Sequence, residues 1–413
     1  MVNFERFVLD NGLRVLIHQD KTTPIVAVNI LYNVGARDEN PQQTGFAHLF
    51  EHLMFEGSAN VAEYDNELQM AGGENNAFTN NDITNYYLTI PRHNLETALW
   101  LESDRMLELA FSEEKLRIQK NVVTEEYRQS YLSQPYGDVW MLLRPLIYKV
   151  HPYQWPTIGK SIEHVQNATI GQVKDFFYRF YRPNNAILVL SGDLEPKSTI
   201  ELVKKWFADI PPGPDYQRNL PEEPVQNSSR KLVVERDVPF DEIYMAFHTG
   251  KRLDDSFYPT DMITDLLAGG RSARLREKLV KKRKLFSETN AWITGSIDKG
   301  FLAISGKLMP NQNMDIAREA IWEELNELKK DPVGDYELQK VKNKLEATNT
   351  FGEMGILSKS MNLAYYELLG DADLLNQQTD KYLRLTSEEV MKFSREIFKP
   401  EKVSELNYLA QKK

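Results

Sequence analysis

Three observations in the sequence predict an α+β fold built from two related halves. Stretches with helical spacing of apolar residues and stretches with strand alternation intermix along the whole chain. A polar, Pro-rich break opens at Pro211-Pro212-Gly213-Pro214 and runs to about Arg230, a composition that joins domains. Anchors on the two sides of the break recur at one offset: Val15-Leu16-Ile17 with Leu232-Val233-Val234, and Pro183 with Pro400. The expected domains are residues 1–212 and 231–413, with 213–230 as linker.

Each half then reads as strands and helices in turn. The first opens on the strand at Val15, continues through an amphipathic helix from Phe46, and has a Gly-initiated strand from Gly72 and a weakly alternating one over 85–90. Ser112 caps a long helix running to about Leu132, with Glu113 and Glu114 complementing the dipole in its first turn. An aromatic helix containing Phe176, Phe177, Phe180 and Tyr181, with core spacing, leads through Pro183 into an apolar strand over 186–190. The second half repeats the plan, with strands over 243–247 and 301–304, helices over 313–330 and 335–350, and a closing strand over 406–410.

Composition narrows the function. The 413 residues, 41% of them hydrophobic, suffice for two or three domains with sizeable cores. A net charge of −10 argues against nucleic acid as a main partner and suits neutral or basic peptides. No stretch approaches the roughly 18–20 apolar residues of a membrane span, and Met1 to Arg6 opens no signal peptide, which points to the cytoplasm. With no cysteine, a metal site must be built from His, Asp or Glu.

Such a site is written at His48-Leu49-Phe50-Glu51-His52. At 100° per residue Phe46, Leu49, Phe50, Leu53 and Met54 fall in one apolar arc, and His48, Glu51 and His52 group opposite. Histidines at i and i+4 lie one turn apart and can ligate one zinc ion at about 2.0–2.1 Å. Glu51 sits beside that ion as a candidate base for its water. Thr44 reads as the N-cap and Gly57 as the stop. A solvated amphipathic face would give the same five residues, so a third ligand is required. On the wheel of the Ser112 helix, Glu126 lies between Val122 and Val123 on the flank of the Leu116 and Tyr127 stripe, whereas Glu125 points away. Glu126 is therefore the inner carboxylate.

With these residues the chain resembles the inverted-motif zinc peptidases that include pitrilysin, insulysin and the mitochondrial processing peptidase. His48, Glu51 and His52 match H-x-x-E-H, and Gln119 to Glu126 matches the family's E-R-x-x-V-x-x-E segment, whose last residue is the third ligand. The chain departs from the family at Gln119, where a glutamate that supports the zinc site is usual. The resemblance makes Gln119 a neutral residue that supports the metal ligands without touching the metal, and implies weaker metal binding. Gly72-Gly73-Glu74-Asn75-Asn76-Ala77-Phe78-Thr79 resembles the element that binds substrate as an added strand, which assigns that role to Asn76, Ala77, Phe78 and Thr79. The resemblance also implies two halves facing each other around a chamber.

The second half carries no histidine where the zinc helix recurs, at Asp261 to Leu267. Relatives place an arginine and, seven residues on, a tyrosine after a turn that survives here as Gly270-Arg271-Ser272-Ala273-Arg274-Leu275. Those two positions fall on Val280 and Ser287. The expectation is a zinc endopeptidase acting on peptides or unfolded, presequence-like segments, with a homologous non-zinc partner in a heterodimer or a second copy in a homodimer. The alternative is a non-catalytic scaffold subunit of the same fold. His18, His93, His164 and His248 lack partnered spacing and read as structural or surface residues, and His151-Pro152-Tyr153 as a loop anchor.

Overall fold

The computed structural model describes residues 1–411. Two sheets carry the fold, one from each half of the chain. The first is six-stranded, in the order β1-β2-β6-β3-β5-β4. Its strands are β1 (Glu5–Val8), β2 (Arg14–Gln19), β3 (Ile25–Tyr32), β4 (Glu74–Thr79), β5 (Thr84–Pro91) and β6 (Ala186–Gly192). The second is five-stranded, in the order β7-β11-β8-β10-β9. It consists of β7 (Arg230–Arg236), β8 (Glu242–His248), β9 (Phe286–Ile293), β10 (Phe301–Leu308) and β11 (Val403–Ala410).

The two sheets share one plan. In each, one early strand runs parallel to the last strand of its half, β2 to β6 and β7 to β11, and every other pairing is antiparallel, the first sheet adding β1 outside β2. Pro183 and Pro400 each open a short 3-10 turn feeding the last strand. A further anchor appears at the same offset: Thr169 and Thr386 each cap the preceding helix through a reciprocal capping box, with Gln172 and Glu389 as partners. The shared strand order, the two prolines and the two capping boxes make the halves copies of one unit.

By contact the chain forms two compact units that trade segments. The unit around the first sheet comprises 1–129, 155–220 and 350–377; the unit around the second comprises 130–154, 221–349 and 378–413. The traded pieces are helices. Ile356–Leu368 lays Leu363, Ala364 and Tyr366 on Leu16, Leu31, Ile187 and Val189 of the first sheet. Val139–Ile147 lays Val139, Leu143 and Ile147 on Tyr244, Ala246, Phe301, Ala303 and Leu406 of the second. With both faces of the first sheet covered, β6 is buried at every residue, and it reads as a continuous apolar run instead of an alternation.

The stretch expected as linker has no helix or strand before Arg230, yet it is held down on each unit. Arg218 bonds Asp38 at 2.6 Å in the first unit. In the second, the buried Glu223 accepts the N–H groups of Lys149, Val150 and His151 at 2.8–3.0 Å. No described helix is long and apolar enough to cross a membrane.

One ion pair secures the traded helix to the first sheet. Lys359 donates to Asp20 at 2.8 Å, and both side chains are 14% exposed. That bond, with further bonds from Thr22, holds the Asp20 carboxyl well below the usual carboxylate range. A depressed carboxyl adds stability above its unfolded pKa of about 4, and loses it as pH falls through the folded value. Asp20→Asn should therefore lower stability most at neutral pH. The gap to wild type should close as pH drops below about 4, as read from urea unfolding across a pH series.

Candidate metal centre

The helix carrying the histidines is short, Phe46–Leu53, and its surroundings set its direction. Leu49 and Phe50 are fully buried, and the Phe50 ring stacks on Phe176 and Tyr181 at 5.1 and 5.0 Å. Tyr86 of β5 donates its hydroxyl to the Phe50 carbonyl at 3.2 Å. His48, Glu51 and His52 are half-buried on the other face, as the wheel expects.

The expected boundaries shift. The N-cap is Gly45, not Thr44, with φ +90°, and a Cβ there would meet the Ile158 carbonyl oxygen at 2.7 Å. Glu39 replaces a side-chain cap. Its two carboxylate oxygens accept from Gly45 N at 3.0 Å and Ala47 N at 2.9 Å, and the Trp155 indole donates to it at 3.1 Å. Thr44 turns the other way: its hydroxyl meets His164 at 2.8 Å and accepts from Lys160 N at 2.9 Å. The helix ends at Leu53 with Met54 as C-cap, before Gly57 is reached.

Glu126 comes from the helix Glu113–Tyr127, which Ser112 caps by accepting from Lys115 N at 3.0 Å. Val123 is buried as expected, but Val122 is 43% exposed, so Glu126 sits at the rim of the packed stripe. Lys115 donates to the Glu56 carbonyl and Gln119 to the Glu56 carboxylate, which ties this helix to the turn following the histidines. Gln119 therefore bonds Glu56 and no histidine; its own carbonyl oxygen is buried without a partner.

The result is a convergence of three donors. Glu126 Oε2 lies 3.7 Å from His48 Nε2 and 3.5 Å from His52 Nε2. One donor atom from each of the three residues falls within 4.8 Å of the other two. Around an ion with bonds of about 2.0–2.1 Å, tetrahedral geometry puts donors roughly 3.3–3.4 Å apart, so the spacing suits a shared cation better than hydrogen bonds. Charge agrees. Burial pushes the His48 imidazole below its ordinary value despite the nearby Glu126, and the contact with His52 holds the Glu126 carboxyl low. Neutral imidazoles and an ionised carboxylate are the forms a metal requires. Two histidines and one glutamate are a donor set used by some catalytic zinc sites, where a fourth position is left for water.

The strand β4 is an edge strand and packs beside the histidine helix. Glu74, Asn76 and Phe78 are exposed, while Asn75, Ala77 and Thr79 are half-buried. Its outer rim presents backbone groups with no strand beside them. Asn76 turns its side-chain oxygen onto Ala77 N at 2.8 Å, and Phe78 lies 6.5 Å from the Tyr87 ring. An open groove of about 580 Å³, lined by Asp65, Gln69, Gly72, Glu74 and Asn75 among others, lies at the start of the strand.

Two sequence models of one peptidase family cover most of the chain: Insulinase (Peptidase family M16) matches residues 14–158, and Peptidase M16 inactive domain matches 167–345. The chain belongs to peptidase family M16. His48, Glu51, His52 and Glu126 all lie in the first match, and the inactive-domain match covers a stretch without them. The zinc protease PqqE of Helicobacter pylori is 29% identical over 96% of this chain and 90% of its own. The zinc protease YmxG of Bacillus subtilis, itself uncharacterized, is 25% identical over 95% of both. Among solved structures, a Helicobacter pylori protease superposes with TM-score 0.93 at 27% identity, over 99% of this chain and 100% of that one. Pitrilysin superposes with TM-score 0.81 at 19% identity over 99% of this chain but 45% of its own, so its chain is about twice as long.

The other histidines have structural partners or none of interest. His18 meets the Asn3 carbonyl, His164 meets Thr44, His248 meets the Ile147 carbonyl, and His93 is exposed. His151 is buried beside Tyr153 with ring centroids 4.3 Å apart, and its Nδ1 accepts from Tyr153 N, as a loop anchor should.

Behind the site lies a polar network that periodicity does not reveal. Arg105, 1% exposed, pairs with buried Glu102 and lies 4.6 and 4.5 Å from the ring centroids of Tyr64 and Tyr86. Tyr64 also donates to Glu102 at 2.6 Å. From the same helix, Asp104 accepts from Asn60 N at 2.9 Å and from Ser58, which fixes the loop after the histidines. Arg105→Ala strands the Glu102 charge and should cost about 3–5 kcal/mol in urea unfolding. Adding Glu102→Gln to that variant should recover part of the loss.

Proposed function

We propose that this chain is a zinc endopeptidase that cleaves peptides or unfolded segments. The observation that carries the reading is the meeting of His48, His52 and Glu126 donor atoms beside the open edge strand β4. Zinc bound there supplies Lewis acidity, polarising a carbonyl and lowering the pKa of water to about 7. The remaining steps belong to the chain. An extended peptide adds to β4 through main-chain bonds, in a manner indifferent to most side chains, with Asn76, Ala77, Phe78 and Thr79 as its neighbours. Glu51, one turn from His48 on the same face, takes the proton of the attacking water and returns it to the leaving amine. Gln119 supports the site at one remove, by fixing the helix of Glu126 to Glu56. The acidic groove at the start of β4 and the net charge of −10 favour neutral or basic peptides.

Zinc protease is also how the Helicobacter pylori and Bacillus subtilis relatives are named. The non-catalytic scaffold reading draws on the inactive-domain match, but that match falls outside all four site residues.

A companion chain completes the proposal. Val280 packs against the core of the second unit, and the Ser287 hydroxyl donates to the Lys307 carbonyl on β10, so neither position offers the arginine or tyrosine that the family resemblance calls for. Pitrilysin, about twice as long, has room for a second such pair of units in one chain. A homologous subunit that carries the arginine and tyrosine would supply the missing groups; a second copy of this chain, with the same Val280 and Ser287, would not.

Glu51→Gln should keep about one zinc per chain while peptidase activity falls by at least about 100-fold, measured by metal analysis beside a peptide-library assay. Absence of zinc from the wild-type protein would favour the scaffold. Full activity from the zinc-loaded monomer would remove the companion chain.

A further inference from the structure

The site description leaves one buried charged residue without a chemical role. Glu39 is 6% exposed and lies within three consecutive charged residues. The other two are committed elsewhere: Arg37 pairs with Asp82 at 2.9 Å and Asp38 with Arg218 at 2.6 Å. Both Glu39 oxygens instead address the start of the histidine helix. Gly45 N, Ala47 N and the Trp155 indole donate to it, and Trp155 is itself anchored on the Ala36 carbonyl at 3.0 Å.

The consequence is geometric. Ala47 N belongs to the residue before His48, in a helix of eight residues whose first turn has no side-chain cap of its own. A helix this short takes its direction from what grips its ends. Phe46 and Phe50, both packed on Phe176, fix the buried face, and the grip on Gly45 N and Ala47 N holds the backbone of the first turn. A tilt there moves His48 relative to Glu126, which is held separately through Glu56.

We infer that Glu39 is a positioning residue of the zinc site, setting the aim of His48 through the backbone of Gly45 and Ala47. The inference rests on the zinc reading above. It goes further in assigning metal affinity to a residue that no ligand touches.

The test is zinc affinity of the full chain, measured by competition with a chromophoric chelator, on wild type, Glu39→Gln and Trp155→Phe. Glu39→Gln keeps the shape but replaces one acceptor oxygen by an amide NH₂. It should weaken zinc binding by about 10-fold or more, the usual effect of losing a group that orients a metal ligand. In peptide assays at saturating zinc, kcat should fall with KM unchanged, since β4 is untouched. Trp155→Phe removes one bond to Glu39 and leaves both backbone bonds; it should weaken zinc in the same direction by less, and it decides the matter if Glu39→Gln does not fold. A lower melting temperature with wild-type zinc affinity would overturn the inference and make Glu39 a simple cap. Zinc binding by wild type with both variants unmoved sinks this inference alone, whereas no zinc in wild type sinks the functional reading with it.

Discussion

The junction of two helices at Glu56 is the constraint on which the candidate site depends. Two imidazoles on one short helix can sit one turn apart by geometry alone, but the third donor lies on a separate helix, and a shared ion tolerates errors of only a few tenths of an ångström. Lys115 and Gln119 reach from the Glu126 helix to Glu56, three residues beyond the last histidine-helix residue. Each lies on the side of its helix that Glu126 also occupies, about two turns before it for Gln119 and about three for Lys115. The tie sets both the distance and the rotation of Glu126 relative to His48 and His52. Glu39 at the opposite end of the histidine helix, and Tyr86 behind it, complete a grip at three points.

The family resemblance invites a view of Gln119 as a weakened zinc supporter, a glutamate that has lost its charge. Its partner changes that view. Glu56 is acidic, and a glutamate at 119 would place two carboxylates face to face, so an amide that donates to Glu56 is the chemically consistent choice. The charge absent from position 119 is present at Glu56, in the same neighbourhood.

What the sequence could express was whatever repeats along one element. His48, Glu51 and His52 follow from a helical period, Glu126 from the side of its helix that Leu116 and Val123 share, and the duplicated halves from prolines and opening apolar triplets at one offset. What it could not express was pairing across the chain. Glu39 sits in Arg37-Asp38-Glu39, a charged triplet whose burial no local pattern signals, because it needs partners as distant as Trp155 and Arg218. The traded helices were hidden for the same reason. Nothing local in 139–147 or 356–368 states which sheet each will cover, since an apolar stripe specifies a surface to bury and not its owner.

The trade bears on why a duplicated chain can hold one histidine site and not two. Each unit is completed by a helix drawn from the other half, so neither contiguous half buries both faces of its own sheet. The second copy is therefore retained for packing whatever becomes of its chemistry. Released from any need for histidines, the helix Phe257–Ala268 is buried along most of its length, with Met262, Ile263, Leu266 and Leu267 in the core. A helix that shows ligands to a cavity must leave one face polar and partly open, as Phe46–Leu53 does; one that only packs can close that face with apolar groups. The same ancestral element thus took opposite courses in the two halves, and the fold needed both.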